Sequence, residues 1–134
     1  MVIKQTNFYQ QTMKISKADF EQMKGKYDQE VKKGKAAKGK KGDIENQTDW
    51  IFFDRATLEE ILANPNAKGV KFYFTEYSEE VAKKLYPSNP DEYVGRINLV
   101  MTGSSDGQSE IIDASGETTY YNRGIITCTL RIHF

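Results

Sequence analysis

The chain has 134 residues, 38% of them hydrophobic and 28% charged, with 19 Lys plus Arg against 19 Asp plus Glu. That length fits a single domain, which buries roughly two-thirds of its unfolded surface and needs no disulfide or metal staple. No run approaches the roughly 18 consecutive apolar residues of a membrane helix, and MVIKQTNFYQ carries no apolar signal-peptide core, so the expectation is a cytoplasmic protein with no membrane partner.

The zero net charge is unevenly laid out: 11 Lys face 6 acids up to Thr48, and 8 Lys plus Arg face 13 acids beyond it. In chain order, Ser16 followed three residues later by Asp19 predicts a capped helix start. Phe20, Met23, Tyr27 and Val31 then recur on one helical face. From Lys32 to Gly42 no apolar residue exceeds alanine in size and three glycines intervene, which predicts a flexible Lys/Gly-rich loop over about 32–48. Within it GKAAKGKK comes close to the P-loop pattern. Lys41 stands at the hydroxyl position, however, and an amphipathic helix precedes the first glycine where a buried strand is required.

Trp50 to Phe53 reads as a strand, and Asp54 caps a short helix with Leu58, Ile61 and Leu62 that stops near Asn64-Pro65. VKFYFTEY over 70–77 alternates, which predicts Val70, Phe72 and Phe74 on a core face and Lys71, Tyr73, Thr75 and Tyr77 on an aromatic, polar face. Ser78-Glu79-Glu80 opens a short helix with Val81 and Leu85, closed by Pro87-Ser88-Asn89-Pro90. Tyr93 to Thr102 is a second long strand, Gly103 to Gly107 a turn, and Ile126 to Phe134 a last strand. The elements add to an α+β domain: a mainly antiparallel sheet of about four or five strands with two or three helices packed on one side.

The segments WIFFDRATLEEIL, GVKFYFTEY, GRINLVMTG and TYYNRGIITC resemble a group of small uncharacterised proteins from Bacteroidetes-type bacteria, over positions 15 to 128. The resemblance implies a shared α+β fold in a bacterial, intracellular or periplasmic context, and it brings no catalytic residue. In that group prolines are expected beside the cysteine, whereas here Cys128 is followed by Thr129-Leu130-Arg131.

Catalytic and metal chemistries find little support. Cys128 shares an apolar stripe with Leu130 and Ile132, which reads as a buried thiol, and His133 falls on the other face of that strand. One Cys and one His fall short of the roughly four ligands of a structural zinc site. Ser104, Asp106, Glu110 and Asp113 miss the EF-hand spacing. The adjacent pairs Glu59-Glu60, Glu79-Glu80 and Asp91-Glu92 point different ways from their elements, unlike the paired carboxylates of a glycosidase. No metal or cofactor is expected.

Tyr73, Tyr77, Arg96, Tyr120, Tyr121 and Arg123 are the candidate binding residues, because Tyr and Arg bury large area while ordering few rotors. The expected function is a non-enzymatic protein-interaction module with an unknown protein partner or a second copy of itself. The alternative is nonspecific binding of nucleic acid or another polyanion through Lys35, Lys38, Lys40 and Lys41. A cryptic enzyme is the third reading.

Overall fold

A computed structural model describes residues 2–8, 13–122 and 125–132. In chain order it contains β1 (Val2–Phe8), β2 (Met13–Ile15), α1 (Lys17–Gln29), β3 (Lys38–Gly39), β4 (Gly42–Asp43), β5 (Trp50–Phe52), α2 (Arg55–Leu62), β6 (Gly69–Glu76), α3 (Glu79–Leu85), β7 (Ile97–Ser104), β8 (Tyr120–Asn122) and β9 (Ile125–Ile132). The fold is α+β. All pairings are antiparallel, in a four-stranded sheet ordered β2-β8-β7-β6, a three-stranded sheet ordered β1-β9-β5, and the small β3-β4 hairpin.

The helices begin where side-chain acceptors meet first-turn amides. Ser16 accepts from the Asp19 N–H at 3.0 Å, Asp54 from Thr57 at 3.0 Å, and Ser78 from Val81 at 3.3 Å. Phe20 and Met23 of α1 are buried, as the spacing predicts. Together with Val81, Ala82 and Leu85 of α3 they cover one face of the four-stranded sheet. The remaining helix, α2, takes the opposite face, where Ile61 packs with Met101 and Tyr121, flanked by Phe53, Leu58 and Val70.

The alternation of 70–77 is present with its two faces exchanged. Tyr77 is 0% exposed and Thr75 is buried, whereas Phe72 and Phe74 are 45% and 57% exposed. Register explains part of this: Tyr73 stands opposite Val100 and Thr75 opposite Asn98, so the odd positions join the face that α1 and α3 cover. A tyrosine can be buried there because its hydroxyl finds partners, and Tyr77 Oη does so with Tyr86 Oη and Asn122 Oδ1, each at 2.9 Å.

The Lys/Gly tract also departs from expectation. After a 3-10 turn over Val31–Lys33 and a left-handed Gly34, the chain folds into the β3-β4 hairpin and docks against the turn before β7. The Lys38 N–H donates to Glu30 Oε1 at 2.6 Å, the Lys38 carbonyl accepts from Lys26 Nζ at 2.9 Å, and Ala37 is buried. Gly95, at φ +85°, permits the approach: a Cβ there would lie 2.5 Å from the Lys38 carbonyl oxygen. Composition misled because backbone contacts and ion pairs, rather than apolar side chains, hold this segment.

Candidate functional site

The structure separates the predicted tyrosine and arginine constellation instead of gathering it on a surface. Tyr73 and Tyr120 meet across Phe20, whose ring stacks on Tyr120 at 4.3 Å and meets Tyr73 edge-on at 4.9 Å. Tyr77 lies in a polar interior chain: Asn122 Nδ2 donates to Asn98 Oδ1 at 2.9 Å, and Thr75 Oγ1 donates to the same oxygen at 2.6 Å. Tyr121 is buried on the opposite face beneath Ile61 and Met101. Arg96 donates through Nε to the Glu92 carbonyl at 3.0 Å, and Arg123, like His133, lies outside the described residues. Burial raises the hydroxyl pKa of Tyr73, Tyr120 and Tyr121, so these groups stay neutral. Tyr73 also donates to the Glu110 carboxylate, and Lys71 Nζ sits 4.8 Å from its ring centre. These tyrosines bind the fold together and leave little ring surface for a partner.

The lysines are partly neutralised. Lys38 Nζ is 2.6 Å from Asp43, Lys40 pairs with Glu79, and Lys35 and Lys41 are exposed. Two of the four ammonium groups are thus tethered to carboxylates that a phosphate backbone would have to displace. Asp106 and Asp113 satisfy loop amides, those of Gln108 and Ser109 for the first and of Ser115 for the second. Among the described residues no group of three His, Cys, Asp or Glu side chains is placed to hold a metal ion.

What sequence reasoning missed is the free edge of β6. Its partner β7 directs the backbone groups of Ile97 and Leu99 away from β6. The Ile97 N–H donates to Gln47 Oε1 at 2.8 Å, its carbonyl accepts from Thr48 Oγ1 at 2.7 Å, and the Leu99 carbonyl accepts from Asn122 Nδ2 at 2.9 Å. In an antiparallel ladder the residues opposite them, Glu76 and Phe74, therefore direct their own N–H and C=O outward, and the same phase extends to Phe72 and Val70. Among the described residues no other strand pairs with β6, so this row faces out at the end of the sheet beside two exposed phenylalanines. Tyr27 stacks on Phe74 at 6.0 Å, and Phe53 approaches Phe72 at 6.5 Å, framing the patch. The sequence does hold a signal for it: aromatic residues occupy both parities of VKFYF, so one aromatic face had to remain outside.

The second unforeseen feature is Glu76, 0% exposed, whose two carboxylate oxygens accept no hydrogen bond among the described residues. Lys26 Nζ lies 3.7 Å from one of them and 2.7 Å from Glu30. Burial, then the neighbouring Glu30 carboxylate, pushes Glu76 up to about 7. Glu30 shifts the other way: burial opposes its charge, but the Lys26 ammonium and the Lys38 N–H outweigh it and hold its pKa below 4.5.

No family model matches this chain, and comparisons with curated proteins and with solved structures return no match.

Proposed function

We propose that the protein is a non-enzymatic interaction module that self-associates through the free edge of β6. One observation carries this reading: outward backbone groups at Val70, Phe72 and Phe74 coincide with the exposed Phe72 and Phe74 rings. An edge strand with unpaired N–H and C=O groups is a template for another strand, and the rings supply apolar area to the same contact.

A second copy satisfies the edge with good pairing. In an antiparallel arrangement centred on Phe72, Val70 of one copy stands opposite Phe74 of the other, so one face of the junction is wholly apolar. On the other face Lys71 stands opposite Tyr73 of the copy, with its ammonium already held over the Tyr73 ring of its own chain at 4.8 Å. No like charges are opposed between positions 70 and 74.

Sedimentation equilibrium tests the proposal on the parent protein and on Phe72→Pro. Proline removes an N–H that points away from β7, so the sheet retains its bonds while the edge loses its central donor. The parent is expected to be a dimer and the variant a folded monomer with an unchanged far-ultraviolet spectrum. A monomeric parent at every concentration, or a variant that dimerises as the parent does, would overturn the reading.

A further inference from the structure

Asn46 Nδ2 and Arg96 Nη1 are buried side-chain donors with no acceptor among the described residues. Both residues line one cavity of about 470 Å³ between the β3-β4 hairpin and the turn before β7. Two buried donors of this kind in one cavity are unusual, since buried polar groups almost always find partners and an unsatisfied one is costly.

Their positions are held from both sides. Gln47, next to Asn46, donates through Nε2 to the Gly95 carbonyl at 3.0 Å and accepts from the Ile97 N–H at 2.8 Å, bracketing Arg96 between the two contacts. Arg96 in turn donates through Nε to the Glu92 carbonyl at 3.0 Å, which fixes the plane of the guanidinium and leaves Nη1 free to donate. On the hairpin side, Ile44 packs directly on Gly39, where a Cβ would come within 2.5 Å of its side chain.

We propose that this cavity binds a small carboxylate ligand, whose oxygens accept hydrogen bonds from Arg96 and Asn46. Both orphan groups are donors, so the ligand atom they require is an acceptor, and a guanidinium favours one that is charged and planar. Lys41 adds a positive charge at the mouth. The exposed side chains of Glu45, Asp91 and Glu92 also border the cavity and disfavour a dianion, which selects a monoanionic carboxylate over phosphate. Asp43, on the same rim, is already paired with Lys38 at 2.6 Å.

The test is a nitrogen-15 titration of the parent protein with acetate, at ionic strength held constant with sodium chloride, following the Asn46 side-chain amide and the Arg96 Nε–H. Saturable shifts of both signals are expected with acetate, and no saturable shift with inorganic phosphate. Asn46→Asp supplies a carboxylate within the same cavity as Arg96 in nearly the same volume. That variant should melt above the parent and lose the acetate response of Arg96. Signals that stay still in acetate, that follow phosphate equally, or an Asn46→Asp protein that keeps the full acetate response would each overturn the assignment.

Discussion

Tyr77 Oη donates to Asn122 Oδ1 across 2.9 Å, joining the residue that follows β6 to the end of β8, a contact between positions 45 apart in sequence. The same hydroxyl lies 2.9 Å from Tyr86 Oη, and Asn122 passes the chain on to Asn98 and the Leu99 carbonyl. A buried polar chain of this kind specifies one register, because a one-residue slip would leave several of its members unpaired.

Tyr77→Phe should therefore cost on the order of 1–3 kcal/mol, the penalty for leaving a buried acceptor and a buried hydroxyl each short of a partner. Urea unfolding monitored by tryptophan fluorescence measures this directly. A variant as stable as the parent would mean that the hydroxyl contributes no net stability.

Glu76 makes stability depend on pH with a definite sign. Its carboxyl titrates at 4.5 ordinarily and at about 7 in the folded protein, so between those values the folded state keeps a proton that the unfolded chain has released. Stability from this group is complete below 4.5, declines as pH rises through the interval, and levels off above about 7. Glu30, with its lowered pKa, opposes this only at the acid end, where its ionised form is lost. Glu76→Gln should abolish the decline and exceed the parent at pH 8 by as much as about 3 kcal/mol, with little difference near pH 5. Unfolding curves at the two pH values decide it, and parallel curves for parent and variant would refute the assignment.

Proline at two adjacent positions of β6 should have opposite outcomes. The Phe72 N–H points to the free edge, whereas the Tyr73 N–H belongs to the ladder with Val100. Phe72→Pro should fold with a melting temperature close to that of the parent monomer, and Tyr73→Pro should lose cooperative unfolding, since a proline there removes a ladder hydrogen bond in the middle of a paired strand. Calorimetry of both variants checks the phase of the ladder itself.

The lysine-rich hairpin should prove structural. Gly95→Ala introduces a Cβ 2.5 Å from the Lys38 carbonyl oxygen at a φ of +85°, while Gly116→Ala has the same φ with nothing within 4 Å. Both substitutions carry a left-handed backbone cost of about 1–2 kcal/mol, and only the first must also push the hairpin away. Gly95→Ala is expected to melt well below Gly116→Ala, and equal melting temperatures would show that the hairpin yields without cost.

Local chemistry within the sequence determines the helix starts at Ser16, Asp54 and Ser78, the alternation of VKFYFTEY and the α+β class, because a cap or an alternation depends on residues only a few positions apart. It also determines that VKFYFTEY has two aromatic faces, without determining which is inside. That choice belongs to the tertiary structure: Asn98, Asn122 and Tyr86, distant in sequence, supply the partners that let Tyr77 be buried, so Phe72 and Phe74 are left at the surface. The ordering of the Lys/Gly tract is likewise a tertiary result, resting on Glu30, Glu79 and Gly95 rather than on the composition of the tract. Periodicity is written in neighbouring residues, whereas burial is decided by whichever surfaces the rest of the chain brings against them.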